Sequence, residues 1–333
     1  MKICIYGAGA IGLLLGARLA ATGRHRMSAV ARGETLAALR AHGLRVDGLD
    51  GPLHGPVDAS DDPATLGVQD VVVIAVKAPA LADVARRIAP LLGPDTLVLP
   101  AMNGVPWWFC EGLRGAAAGL ALKSVDPDGT IARHLPTAHV VGCVVHAAAF
   151  VAAPGVAGHR MGRGLVIGEP GGGVSARVER LKAVLDEAGF ETLASEMIQR
   201  DIWFKLWGNM TTNPISAITG ATTDRVIGDE LVRRLTSDAM LESARIGERL
   251  GFAITQTPDE RHQITRKLGA FKTSMLQDVE AGRAIELDSL VGAVRELGQR
   301  VGVETPLIDA IFGLARLFGR VHGLYPEAAP DAP

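Results

Sequence analysis

Apolar and polar positions follow two regimes along the 333 residues. Up to about residue 197, short apolar runs near 2–6, 27–31, 70–76 and 96–101 alternate with helical patterns near 10–22, 34–41, 78–91 and 105–114. Such alternation predicts a parallel sheet with right-handed crossovers. Gly43 to Asp61, rich in Gly, Asp and Pro, interrupts it and is expected to form an extra hairpin. From Val140 to Gly168 the pattern turns β-rich around Pro154-Gly155, which predicts antiparallel additions to the sheet edge. A helix over 178–188 and a strand near 191–193 complete this part. Strand signals then stop, and helical patterns follow at 199–213, 229–250, 259–281, 287–301 and 306–320, the last opened by Thr305 as N-cap with Pro306 behind it. The expected layout is an α/β domain over 1–197, an all-α domain over 198–325 and a disordered tail over 326–333, built from Pro, Glu, Ala and Asp.

The first apolar run leads directly into Gly7-Ala8-Gly9-Ala10-Ile11-Gly12 and then a helical pattern. Strand, glycine turn and helix in this order are the dinucleotide-binding fingerprint: Gly7 for the tight turn, Gly9 for backbone approach to a pyrophosphate, Gly12 for close helix–strand packing. The fold class is therefore a Rossmann-type doubly wound parallel sheet with a C-terminal helical domain. The second strand ends in Arg32, where NAD-preferring proteins usually carry an acid; a guanidinium there favours the 2′-phosphate of NADP. Glu34 is the competing reading, as a partner for a ribose hydroxyl or a first-turn helix acid.

A net charge of -2 gives no reason to expect nucleic acid or an anionic membrane as partner. Cys4, Cys110 and Cys143 form no paired spacing and read as reduced buried thiols; no metal site is expected. The first apolar residues form a strand broken by glycines, unlike a secretory leader, and no run approaches membrane-spanning length. A cytoplasmic protein is expected, with a small-molecule ligand in a cleft between the domains; a homodimer is left open.

In the stretch from Asp201 to Asn213, Ile202, Trp203, Phe204, Leu206, Trp207 and Met210 make nearly every helix face apolar, which predicts burial. Lys205, Asn209 and Asn213 recur at i, i+4 and i+8 and line one narrow stripe. Either the lysine snorkels and the amides cap loops, or the stripe faces a polar ligand. Lys77 and Asn103 follow apolar strands and should emerge at the sheet's carboxyl edge, or serve as a surface residue and a turn residue. Ser274 and Asp278 lie one turn apart, and Glu286 precedes an apolar helical pattern, where it is either functional or a first-turn acid.

The motifs GAGAIG, ARG at 31–33, VKA at 76–78, MNGVPWW at 102–108, WFKLWGN at 203–209, NPIS at 213–216, SMLQD at 274–278 and IELDSL at 285–290 together resemble the ketopantoate reductase family. The matches keep the family's order from residue 3 to residue 290. This resemblance implies NADPH-dependent reduction of 2-dehydropantoate to pantoate, on the way to coenzyme A. It implies Lys205 as general acid and Glu286 as the group orienting substrate or water. Asn103 would contact the nicotinamide side and help place Lys205. Asn209, Asn213 and Ser274 would hold substrate, and Arg32 and Lys77 the 2′-phosphate. Where pantoate-making members often carry another Asn, this chain has Thr222-Thr223, and the paired Trp107-Trp108 looks like another branch of the family; both bear on which acid is reduced. A paralogue acting on another oxo acid, hydroxy acid or imine is the alternative. A non-catalytic NADP-binding protein is a third, against which Lys205 and Glu286 argue.

Overall fold

The computed structural model describes residues 1–49, 51–267 and 269–327. In chain order its first part contains β1 (Lys2–Tyr6), α1 (Ala10–Ala21), β2 (Arg26–Val30), α2 (Gly33–His42), β3 (Leu44–Gly48), β4 (Leu53–Gly55), β5 (Asp58–Ser60), β6 (Val71–Ile74), α3 (Leu81–Arg87), β7 (Leu97–Pro100), α4 (Thr130–His134), β8 (Gly142–Ala153), β9 (Val156–Gly168), α5 (Ala176–Glu187) and β10 (Glu191–Ser195). Five strands form one parallel sheet in the order β5-β2-β1-β6-β7, with Ile3 paired to Met27 on one side and Val71 on the other. Counted in chain order within this sheet, the sequence is 3-2-1-4-5, so the direction of winding reverses between β1 and β6. Open sheets of this kind bind ligands outside the carboxyl ends of the strands at that reversal.

A second sheet, ordered β10-β9-β3-β4 with β8 also on β9, contains the long antiparallel β8–β9 hairpin. The expected antiparallel pairing around Pro154-Gly155 is present, with Gly155 at φ +74 in the turn. It does not extend the parallel sheet as an edge; the two sheets meet at an isolated bridge between Val98 and Val140. The extra hairpin over 43–61 appears as β3–β4, while β5 joins the parallel sheet; Asp50 lies outside the described residues. Helix α1 is squeezed between the sheets: a Cβ on Gly16 would lie 2.9 Å from Ile5 and 3.1 Å from Leu44. This explains why α1 is apolar nearly all round, Arg18 excepted, with Leu13, Leu14, Leu15 and Leu19 all buried. Each such leucine contributes about 1.5–3 kcal/mol of burial free energy.

The remaining helices are α6 (Ile198–Thr219), α7 (Thr223–Gly228), α8 (Glu230–Arg249), α9 (Pro258–Arg266), α10 (Ser274–Glu280), α11 (Ala293–Val301) and α12 (Pro306–Val321). Four expectations need correction. The helix over 105–114 is absent: Val105, Trp107, Trp108, Phe109 and Cys110 are buried in successive turns, closed by Phe109 N–H to Pro106 O at 3.1 Å and Glu111 N–H to Trp108 O at 2.9 Å. The helix over 78–91 shrinks to α3 flanked by 3₁₀ turns containing Pro79 and Pro90, which lack the N–H a continuous helix needs. The pattern over 259–281 is two helices, split by Gly269 at φ +65 and restarted by Thr273, whose hydroxyl caps Leu276 N–H. The pattern over 287–301 opens as a π-helical turn over Asp288–Gly292 before α11. Helix α6 in turn runs past its expected end, through Pro214.

By contacts the chain forms two units, Met1–Asn103 with Asp128–Asp201, and Gly104–Pro127 with the chain from Ile202 onward. Segment 104–127 thus packs with the helices, unlike in the contiguous layout expected from sequence. The tail expected to be disordered falls mostly at 328–333, outside the described residues. Among the described residues no helix is long and apolar enough to cross a membrane.

Candidate active-site residues in the two units

The three fingerprint glycines do different work. Gly7 has φ +100, and a Cβ there would fall 2.5 Å from Val76 and 3.0 Å from Ala75 O. On Gly12 it would fall 2.1 Å from Gly7 O, so these two glycines allow the turn and the α1–β1 packing. On Gly9 a Cβ would meet just Ala75 O at 4.0 Å, leaving the outer side of the turn clear. Ala8, Ala10 and Ile11 are half-buried, and the first helical hydrogen bond of α1 is Leu13 N–H to Gly9 O at 2.8 Å. The amides of Ala10, Ile11 and Gly12 precede that bond, and the first turn carries no acid. This is a helix terminus receptive to a phosphate.

Arg32 follows β2 as the N-cap residue of α2 and is exposed. Its Nη2 pairs with Oδ2 of Asp83 at 2.7 Å, a partner 51 residues away that sequence reading missed. Glu34 is an exposed first-turn acid of α2. Lys77 and Asn103, both half-buried, follow β6 and β7 at the same carboxyl edge. Tyr6 ends β1 with its hydroxyl buried and without a hydrogen-bond partner among the described residues, and burial raises its pKa.

In the second unit, Trp203, Leu206, Trp207 and Met210 of α6 are buried, with Trp207 Nε1–H donating to Met240 O at 2.6 Å. Phe204 breaks the expected burial at 38% exposure. On the stripe, Lys205 and Asn209 are half-buried and Asn213 is buried. Asn213 Nδ2 lies 3.5 Å from Ser274 Oγ, so α6 and α10 bring these two residues together. Asp278 is buried and accepts from Arg283 Nε at 3.0 Å.

Glu286 is buried directly before the helical segment that contains the π turn. Gly104, at φ +86, abuts that turn: a Cβ on it would fall 2.7 Å from both Ser289 O and Ser289 Oγ. Val105 N–H donates to Ser289 O at 2.8 Å, and Leu290 N–H to Glu286 O at 3.3 Å. The residue after Asn103 is thereby seated three positions from Glu286, with glycine required by both φ and space. Phe109, from the same loop, packs against Trp203 and Phe252 with ring centroids 6.0 and 6.2 Å away. Thr222 donates to Asp224, and Thr223 ties α7 to the segment after α9 through Oγ1 to Gly269 O and N–H to Phe271 O, both at 2.9 Å.

A cavity of about 500 Å³ in this unit is lined by Lys123, Ser124, Asp288, Arg295, Glu296 and Phe312 among others. Its acids are already bonded: Glu296 accepts from the Lys123 and Ser124 amides at 2.8 Å, and Asp288 from Tyr325 at 2.7 Å.

A parallel sheet with a glycine turn at its reversal point, joined to a helical unit with a lysine and amide stripe, defines a Rossmann-type α/β protein with a C-terminal helical part. The chain belongs to the ketopantoate reductase family: the model described as Ketopantoate reductase PanE/ApbA matches residues 3–172, and its C-terminal counterpart matches residues 197–318. A 2-dehydropantoate 2-reductase of Mesorhizobium japonicum is 45% identical over 98% of this chain and 100% of its own. A crystal structure from Ralstonia solanacearum MolK2 is 52% identical, with TM-score 0.92 over 97% of this chain and 99% of that one. A PanE/ApbA family ketopantoate reductase from Ralstonia eutropha JMP134 is 27% identical, with TM-score 0.82 over 97% and 100%.

Proposed function

We propose that this chain reduces the ketone of 2-dehydropantoate (ketopantoate) to the hydroxyl of pantoate with NADPH. The observation that carries this is the full-length likeness to the Mesorhizobium 2-dehydropantoate 2-reductase. Such an enzyme works in the cytoplasm, toward pantothenate and coenzyme A. The clear face over Gly9 and the acid-free start of α1 fit a dinucleotide, with Gly7, Ala8, Gly9, Ala10, Ile11 and Gly12 as its pyrophosphate cradle. Arg32 and Lys77 hold the 2′-phosphate, which favours NADP over NAD.

When bound, the nicotinamide supplies the hydride that adds to the carbonyl carbon. Negative charge then grows on the ketone oxygen, and Lys205 holds a proton there and delivers it. Asn209, Asn213 and Ser274 bind the substrate's polar groups, and the Asn213–Ser274 approach supports grouping them. Glu286 orients substrate or water; Asn103 contacts the nicotinamide side and helps place Lys205.

A related 2-oxo acid is the second reading, favoured by Thr222 and Thr223, whose hydroxyls are committed to Asp224 and to Gly269 O. A panel of 2-oxo acids assayed by NADPH absorbance separates the two: 2-dehydropantoate should give the highest kcat/KM, and a higher value for another acid selects the second.

A further inference from the structure

Residues 283–286 belong to no helix or strand, so the backbone that carries Glu286 depends for its position on the bonds its neighbours make. Two of those bonds come from the end of α12. Gly323, at φ +66, closes that helix in a Schellman turn, with Leu324 N–H donating to Gly319 O at 2.7 Å and Gly323 N–H to Arg320 O at 3.0 Å. The turn sends the next two residues back onto the chain around Glu286. Leu324 O accepts from Ile285 N–H at 3.0 Å, and the Tyr325 hydroxyl donates to Asp288 Oδ1 at 2.7 Å. Consecutive residues thus hold the chain one position before Glu286 and two positions after it. A Cβ on Gly319 would fall 2.7 Å from Tyr325 Cβ and 3.1 Å from Ile285 Cδ1, so the lack of a side chain there admits both.

Asp288 is half-buried and opens the π turn, a local geometry that recurs at functional sites. A carboxylate taken out of water needs a donor. Burial raises the Asp288 pKa, and the Tyr325 hydrogen bond, ahead of the Arg316 charge, opposes that rise. We propose that Tyr325 is a positioning residue for Glu286: through Asp288 it fixes the backbone from which the Glu286 carboxylate reaches substrate or water. This rests on the role given to Glu286 above. Tyr325 acts through Asp288 and not on the reacting atoms. Misplacing a reacting group by about an ångström can cost a hundredfold in rate. One hydroxyl at this point therefore bears on turnover, while cofactor affinity, supplied by the glycine turn of the first unit, does not depend on it.

The test measures kcat, KM and NADPH affinity with the preferred acid of the 2-oxo acid panel, below the melting temperature of each variant. Tyr325→Phe, which deletes one oxygen and keeps the ring, should lower kcat about five- to fiftyfold and leave NADPH affinity within about twofold of wild type. Asp288→Asn, whose amide oxygen still accepts from Tyr325, should keep at least about half of the wild-type kcat, whereas Asp288→Ala should match Tyr325→Phe. In a Glu286→Gln background, Tyr325→Phe should cost less than about twofold more, because the group it positions is gone. Equal losses in the two backgrounds, Tyr325→Phe at the wild-type kcat, or Asp288→Asn as impaired as Asp288→Ala each overturn the positioning role alone. Glu286→Gln at the wild-type kcat overturns the role of Glu286 and this one with it. A wild type that reduces no oxo acid overturns the reductase function as well.

Discussion

Arg32 and Asp83 form an exposed ion pair, Nη2 to Oδ2 at 2.7 Å, at the carboxyl edge of the parallel sheet. A surface pair contributes about 0–1 kcal/mol, whereas charge-assisted bonds to a phosphate contribute about 1.5–3 kcal/mol. A 2′-phosphate can therefore take Arg32 from Asp83. Arg32→Ala should weaken NADPH roughly ten- to a hundredfold and NADH little. Asp83→Asn, which removes the competitor, should tighten NADPH a few-fold and leave NADH unchanged. Titration of both cofactors by fluorescence decides; equal losses for NADPH and NADH in Arg32→Ala would remove Arg32 from 2′-phosphate recognition.

Gly9 and Gly12 should respond differently to the same substitution. Gly9→Ala places its methyl no closer than 4.0 Å to Ala75 O, so melting should be little changed while the methyl obstructs a pyrophosphate and cofactor affinity falls. Gly12→Ala drives a methyl to 2.1 Å from Gly7 O and should cost about 1–3 kcal/mol of stability. Thermal melts with and without NADPH check this; a Gly9→Ala protein with undiminished NADPH affinity would contradict it.

Glu169 gives a pH test confined to the first unit. It accepts from Arg177 Nε at 2.7 Å, pairs with Arg177 Nη2 at 2.5 Å and also accepts from Ser175. The Arg177 hydrogen bonds hold its carboxyl below the ordinary 4.5, against the opposing effect of burial. A depressed folded pKa means the stabilisation is fully present above 4.5 and lost as pH falls through the folded value. Glu169→Gln should melt earlier than wild type at pH 7, and the gap should narrow as pH falls below 4.5 and close once the folded carboxyl is protonated. A gap independent of pH would show that the carboxylate's charge is not what stabilises.

What the sequence made legible was whatever depends on local order. The run from β1 through Gly12 into α1 needs nothing distant to declare itself, and the i, i+4 spacing of Lys205, Asn209 and Asn213 is a property of the helix alone. Contacts across long separations were hidden. Nothing in Val105 to Arg114 reveals that Phe109 packs on Trp203, or that Gly104 abuts Ser289, and tertiary packing replaces the expected helix with turns. Asp83 opposite Arg32 and Arg261 over Gly208 were missed for the same reason. Each joins residues about fifty positions apart, where no periodicity reaches. The π turn after Glu286 leaves no mark in an apolar pattern that reads as ordinary helix.

The most direct measurement follows NADPH oxidation and pantoate formation from 2-dehydropantoate by wild type and Lys205→Met. Wild type should form one pantoate per NADPH oxidised. Lys205→Met should lose about a hundred- to ten-thousandfold in kcat while binding NADPH within about twofold of wild type, because the lost ammonium acts at the ketone oxygen. No pantoate from the wild-type protein, or a Lys205→Met protein that turns over at the wild-type rate, would contradict it.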